Sequence, residues 1–196
     1  MVRTESKHEE RIELFGKWSV DNVEVTDVGL KRYISLETTY LPHSGGRHEH
    51  KKFRKSKVPI VERLVNSMMR HGRSGGKKAK TEKMVRGAFD IMNLKTGLNP
   101  VEVLVKAVQN AALCEDTTRI TYGGIVYHMS VDVAPQRRVD MALRFIAVGA
   151  EKASSGTQKT VEECLADEMI FASQGDNRSY AVQKRNEMER IALSSR

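Results

Sequence analysis

Residues 99–133 of the chain are NPVEVLVKAVQNAALCEDTTRITYGGIVYHMSVDV. Up to Ala112 the apolar residues recur every three or four positions, which predicts an amphipathic helix, and Asn99 and Pro100 suit its N-cap and first turn. From residue 117 the pattern changes to period two. A Gly123-Gly124 pair separates two β-branched runs, which predicts a β-hairpin.

Helical periodicity also lies on both sides of this stretch. Helical segments precede this stretch at about 60–70 and 84–96. Three more follow it and begin near Pro135, Thr160 and Tyr180. The sequence therefore predicts a mainly α fold, a six-helix bundle-like body with a protruding β-hairpin arm and an N-terminal extension. We expect residues 1–57 to form that extension, with a basic arm, and residues 58–196 to form the body, with the hairpin at about 115–133.

The predicted hairpin has two interpretations. Two strands alone make a marginal sheet, so the hairpin either packs on the helices as a structural flap or projects as an arm. Tyr122 lies near the glycine-built tip and Arg119 lies beside it. An aromatic ring and a cation at such a tip suit stacking on a nucleobase and contact with a phosphate, which favours the arm.

The charge of the chain is concentrated in one window. Residues 1–46 have a net charge of −2, residues 47–80 have +10, and residues 81–196 balance to zero, which gives the total of +8. Within that window the stretch 47–57 contains one aromatic residue and no apolar stripe, so we expect it to become ordered on a partner. Uncompensated cations at this density indicate a polyanionic binding partner. The sequence predicts that no acidic residues of the chain itself pair with these cations.

Cations flank two predicted helices. The stretch 47–57 precedes the first helix, and further cations follow that helix, so both of its ends present positive charge that suits two phosphate backbones. The helix that begins at Pro135 carries Arg137 and Arg138 in its first turn, where free amides and guanidinium groups favour an anion. The cations after the first helix are Arg73, Lys77, Lys78 and Lys80.

Enzyme and metal chemistry find no support in the pattern. Residues 72–78 resemble a phosphate loop. The Walker pattern, however, needs glycine at position 71 and Ser or Thr at position 78, where the chain has His71 and Lys78. Cys114 and Cys164 are too few for a disulfide framework or a zinc ribbon. The sequence predicts no enzymatic activity, no cofactor, no metal, no small-molecule substrate, and neither a membrane span nor a signal peptide.

Two other partners stay open at this point. An architectural DNA-binding protein and a peripheral membrane protein also carry basic segments. RNA is favoured over DNA because no helix presents base-reading Asn, Gln and Arg on one face. A membrane surface is disfavoured because residues 47–57 lack bulky apolar residues opposite their cations.

A family resemblance is carried by runs that follow one another in family order and cover nearly everything after about residue 12. They are Leu14–Trp18, Tyr40–Ser44, Pro59–Leu64, Asn66–Met69, His71–Arg73, Asn99–Pro100, Glu115–Asp116, Thr118–Ile120, Val131–Val133, Arg137–Val139, Cys164–Glu168 and Ser179–Ala181. On these runs the chain resembles the small-subunit ribosomal protein seven family in its eukaryotic form, small-subunit ribosomal protein five. Leu14–Trp18 and Tyr40–Ser44 point to the eukaryotic or archaeal branch.

The resemblance implies a place in the head of the small ribosomal subunit. It implies binding to the 3′ major domain of the small-subunit rRNA, a part in head assembly, and a position beside the exit-site tRNA and the emerging mRNA. Neighbouring head proteins are the further partners that it implies. The compartment that it implies is the cytoplasm, with a nucleolar assembly stage if the organism has one.

The resemblance also assigns site residues by position. The residues that it implies for rRNA binding are Lys51, Lys52, Arg54, Lys55, Lys57, Arg73, Lys77, Lys78, Lys80, Arg137, Arg138, Lys184 and Arg185. The hairpin residues that it implies near tRNA and mRNA are Arg119, Tyr122, Gly123, Gly124, Tyr127 and His128.

Overall fold

The structure, a computed structural model, describes residues 12–70 and 74–196. In this part of the chain six helices of nine or more residues surround one core, joined by a one-turn helix and a two-stranded antiparallel sheet. The elements are α1 (Val28–Lys31), a 3₁₀-helix (Arg54–Lys57), α2 (Ile60–Met68), α3 (Lys78–Thr96), α4 (Pro100–Ala111), β1 (Glu115–Tyr122), β2 (Ile125–Asp132), α5 (Pro135–Ser154), α6 (Val161–Ser173) and α7 (Tyr180–Ser194). The predicted six-helix fold with a hairpin between the third and fourth long helices is confirmed.

Helix ends follow the local signals in the sequence. The Asn99 side chain accepts a hydrogen bond from the Val101 amide at 3.0 Å and caps α4. Thr160 and Glu163 form a reciprocal capping box at the start of α6. Gly97 ends α3 with a left-handed backbone. The first long helix, predicted at about 60–70, ends at Met68, and Gly72 beyond it lies outside the described residues.

The core lies where α4, α5 and α6 meet. α6 packs against α3, α4 and α5, and α5 carries buried side chains on most of its circumference. Leu104, Ile146 and Leu165 are fully buried. Burying each such side chain contributes about 1.5–3 kcal/mol to stability, so this junction is the rigid support for everything attached to it.

Part of the predicted N-terminal extension belongs to this core. Leu14, Phe15, Leu30 and Ile34 are buried, and the Phe15 ring packs edge-on against Phe89 with centroids 6.1 Å apart. The chain then runs mostly exposed from residue 37 to residue 57 before it enters α2.

The hairpin projects from the body and does not cover it. β1 and β2 pair from Glu115 with Asp132 to Tyr122 with Ile125, and every residue from 119 to 129 is exposed. The C-terminus holds its base, because the Ser130 amide donates to the Ser195 carbonyl at 3.4 Å and Arg196 pairs with Glu115. The flap interpretation is therefore wrong for the outer half of the hairpin.

Candidate nucleic-acid interface

The basic arm, residues 47–57, is attached firmly to the body at its C-terminal end. Its last four residues form the 3₁₀-helix, and the buried residues Val58 and Ile60 follow directly. The Ile60 amide donates to the Ser35 carbonyl at 2.9 Å, which ties the start of α2 to the segment after α1. The arm therefore presents its cations from a fixed position and not from a free tail.

Carboxylates of the protein itself form ion pairs with six cations of the 47–80 window. Glu49 pairs with Lys51 and Arg54, and Asp140 of α5 pairs with Arg63 at 2.7 Å and with Lys55. The expectation that the chain holds no answering anions is wrong in this respect. The remaining pairs are Arg70 with Glu151 at 3.0 Å and Lys78 with Glu62 at 2.5 Å. Four carboxylates nevertheless serve six cations, so the region keeps a positive surplus.

Five cations of the window have no carboxylate within 4.0 Å among the residues that the structure describes. They are Arg47, Lys52, Lys57, Lys77 and Lys80, and all five side chains belong to exposed residues. Exposed, unpaired ammonium and guanidinium groups are those that release counterions when phosphates replace them. Arg73, also predicted as an rRNA contact, lies outside the described residues.

A cavity of about 510 Å³ brings together two of the unpaired cations of the arm, Lys52 and Lys57, and also Arg54, which pairs with Glu49. Its lining is Arg32, Tyr33, Lys52, Phe53, Arg54, Ser56 and Lys57, with no carboxylate among these residues. Charges of one sign that share a concave site repel each other and attract an anion. Sequence reasoning missed Arg32 because it follows α1, in a segment with a net negative charge. Its neighbour Lys31 was the only local signal.

Glu62 fixes the geometry between the loop before the arm and the start of α3. Its carboxylate is 2% exposed and accepts hydrogen bonds from the Ser44 amide at 2.9 Å, the Ser44 hydroxyl at 2.8 Å and the Lys78 ammonium. Burial by itself raises the pKa of this carboxyl, but the hydrogen bonds from Lys78 and Ser44 outweigh it and hold the pKa below its usual value. Lys78, a predicted rRNA contact, is engaged inside the protein.

The two arginines at the start of α5 have different surroundings. Arg138 donates to the Leu113 carbonyl at 3.2 Å and pairs with Asp27 at 3.4 Å, and its side chain is 17% exposed. Arg137 pairs with Asp116 at 3.2 Å, and its side chain is 61% exposed. Arg138 thus joins α1 and the root of the hairpin to α5, whereas Arg137 keeps most of its guanidinium in solvent.

The predicted contacts on α7 lie on a different part of the body from the arm. Lys184 pairs with Glu187 at 2.5 Å, and the Arg185 guanidinium donates to the Asn110 carbonyl. The hydrogen bond that the Lys184 ammonium donates to the Glu187 carboxylate raises the pKa of Lys184, which therefore stays charged. α7 packs against α4, α5, α6 and the hairpin, while the arm leads into α2.

The hairpin brings its six predicted site residues to one projecting arm. Arg119 lies opposite His128, and Ile120 opposite Tyr127, while Tyr122 at the tip is 80% exposed. Gly123 and Gly124 have φ values of 57° and 82°, which the two-residue turn requires and glycine adopts without strain. Residues 117–131 contain one Arg, one His and no carboxylate, so the hairpin presents aromatic rings and its shape to a partner more than charge.

The described residues 12–70 and 74–196 contain no cluster of three His, Cys, Asp or Glu side chains that fits a metal ion. In the same residues no helix combines the length and the apolar composition needed to cross a bilayer.

Comparison with known proteins identifies the family. The profile described as Ribosomal protein S7p/S5e matches residues 30–196. The small ribosomal subunit protein uS7 of Methanothermobacter thermautotrophicus is 52% identical over 182 residues, covering 93% of this chain and 98% of the relative. Its counterpart of the same name in Methanosphaera stadtmanae is 53% identical over 182 residues, covering 93% and 97%. The chain therefore belongs to the ribosomal protein S7p/S5e family.

Proposed function

We propose that this chain binds the 3′ major domain of the small-subunit rRNA and helps the head of the small subunit to assemble. In this proposal the arm and the start of α3 neutralise phosphates where RNA helices converge, and the helical body fixes their relative directions. As a member of its family the chain is a structural, non-enzymatic protein of the cytoplasmic ribosome. A nucleolar assembly stage is proposed only if the organism has a nucleolus.

The observation that carries the proposal is the set of five exposed cations without a carboxylate partner in the described residues. They flank α2, whose two ends are fixed to the core by buried residues at Ile60 and Met68. Because the core holds the backbone that carries these cations, binding to phosphates orders their side chains but little of the backbone, and phosphate contacts position a protein without reading sequence. This arrangement suits a protein that organises folded RNA.

The second part of the proposal concerns the hairpin. We infer that it reaches toward the exit-site tRNA and the mRNA, with Tyr122 and Arg119 nearest to them. Support comes from the exposed tip and from the near absence of charge, since stacking and shape recognition of single-stranded RNA need rings more than cations. Neighbouring head proteins are the other partners that we propose.

Binding of the full chain to a transcript of the 3′ major domain tests the first part. If about eight phosphates are engaged, the logarithm of affinity falls with the logarithm of salt at a slope near −6. A slope near zero contradicts the proposal. Equal affinity for duplex DNA at matched salt would instead favour an architectural DNA-binding protein, and flotation with anionic vesicles would favour a membrane surface. Co-sedimentation with small subunits on a sucrose gradient is the expected result in cell extracts.

A further inference from the structure

Phe53 combines a strained backbone with an exposed ring. Its φ is 67°, in the left-handed region, and among the described residues only Phe15 shares a positive φ without being glycine. Phe15 is 3% exposed and packs on Phe89, so burial offsets its conformation. Phe53 is 53% exposed and has no such compensation. Residues held in sparsely populated backbone conformations cluster at active sites and ligand-binding sites.

The surroundings of this ring are cationic. Phe53 lines the cavity that Arg32, Lys52, Arg54 and Lys57 share, and the Lys52 ammonium lies 5.3 Å from the ring centroid. The second ring of the cavity, Tyr33, is half-buried, so Phe53 is the exposed ring among the cations and the cavity offers little apolar surface to a protein partner. The Phe53 ring suits a flat, electron-rich ligand that carries negative charge next to it.

We propose that Phe53 is a stacking platform for an unpaired RNA base, with the flanking phosphates of that nucleotide held in the cavity of Arg32, Lys52, Arg54 and Lys57. The proposal rests on the rRNA-binding function proposed above and adds a specific contact to it. Stacking tolerates any base because every base has a π-face. The arginine and lysine side chains around Phe53 would hold the RNA backbone. Phe53 therefore selects single-stranded or bulged nucleotides over continuous duplex.

The test compares full-length variants on a short oligoadenylate, on a blunt RNA duplex of the same length and on the 3′ major domain transcript. F53A is expected to weaken binding of oligoadenylate and transcript by about 10-fold or more, as loss of one stacked base does, and to leave duplex binding unchanged. The salt slope stays constant in F53A because no charge is removed. F53W keeps the affinity of the original chain, and its added indole fluorescence is quenched by the oligoadenylate.

Two controls keep the outcome interpretable. L94A removes a side chain that is 86% exposed on α3 and is expected to leave all three affinities unchanged. F53G removes the ring at a φ that suits glycine, so it keeps the fold even if F53A does not, and it is expected to bind as weakly as F53A.

An F53A affinity within twofold of the original chain on every single-stranded probe overturns the stacking site. The proposed function survives that result as long as the original chain still binds the transcript with a steep salt slope. Unchanged RNA affinity together with failure of F53A to enter small subunits would assign the ring to a protein neighbour and also overturn the proposal.

Discussion

The basic arm and the hairpin both extend from the same helical body, but they differ in charge. The arm, residues 47–57, has six Lys or Arg side chains in eleven residues, whereas the hairpin has only Arg119 between residues 115 and 132. The arm carries the unpaired cations of the cavity beside α1. The hairpin presents Tyr122, Tyr127 and other apolar side chains to solvent.

The two regions also differ in how the body holds them. Pairs with Asp140 and the Ile60–Ser35 hydrogen bond fix the end of the arm to the core. The hairpin depends on its own strand pairing and on contacts with the C-terminal residues at its root. The protein thus has a fixed region rich in cations and a projecting region rich in exposed rings, and we expect the two regions to respond differently to mutation.

The largest expected effect is on the anchoring of the arm. Glu62→Ala removes the acceptor for Ser44 and Lys78 and leaves both groups without a partner. We expect a loss of about 3 kcal/mol in the free energy of unfolding, the low end for a broken buried pair, because Lys78 keeps some access to water. Urea denaturation measures it. The exposed pair partner Glu49 is the control, and Glu49→Ala is expected to cost less than about 1 kcal/mol.

The same carboxylate predicts how stability depends on pH. Because the pKa of Glu62 is lower in the folded protein than its ordinary value of 4.5, its contribution is complete above that value and is lost as pH falls through the folded pKa. Glu62→Gln removes this dependence. The stability difference between the original chain and this variant is therefore expected to shrink as the pH is lowered below 4.5, and a constant difference would contradict the assignment.

The next effect concerns the unpaired cations. Replacing Lys52, Lys57, Lys77 and Lys80 together with Ala is expected to reduce the salt slope of rRNA binding by about 3 and the affinity at physiological salt by about 100-fold. The melting temperature stays unchanged because these side chains have no carboxylate partner in the described residues. A matched variant with Lys83, Arg86, Lys152 and Arg190 replaced carries the same charge change and is expected to alter the slope by less than about 1.

Arg138 and Arg137 form a natural matched pair at the root of the hairpin. Arg138→Ala removes the guanidinium that donates to the Leu113 carbonyl and pairs with Asp27, and we expect a loss of about 2 kcal/mol in stability. Arg137→Ala removes a largely exposed guanidinium and its pair with Asp116, so we expect rRNA affinity to fall while stability changes by less than about 1 kcal/mol. If the two variants changed stability equally, the structural assignment of Arg138 would be wrong.

The smallest expected effect on folding comes from the hairpin. Replacing residues 119–128 with Asn-Gly joins Thr118 to Met129 by a two-residue turn and keeps the root. Because the removed residues are exposed, we expect a stability change below about 1 kcal/mol and rRNA affinity within about twofold. Ribosome assays of tRNA retention at the exit site and of mRNA handling are expected to change. Loss of the helical fold in this variant would restore the flap interpretation.

Much of the fold follows from local patterns in the sequence. The six helices, their caps at Asn99 and Thr160, and the turn at Gly123-Gly124 depend on residues within one or two turns of each other. The charge window is equally local, since a net charge of +10 over residues 47–80 is a property of composition. The family resemblance rests on the order of short runs. None of these needs knowledge of which segments meet in space.

The tertiary structure alone decided which of those charges are available to a partner. Asp140, far along the chain, forms ion pairs with Lys55 and Arg63. Arg32, which precedes the arm in the sequence, lines the same cavity as the arm's cations. Packing of the helices also buries Glu62 as a hydrogen-bond acceptor and leaves the hairpin projecting from the body. Ion pairs and burial depend on distances between residues that are remote in sequence, and those distances are set only when the helices pack.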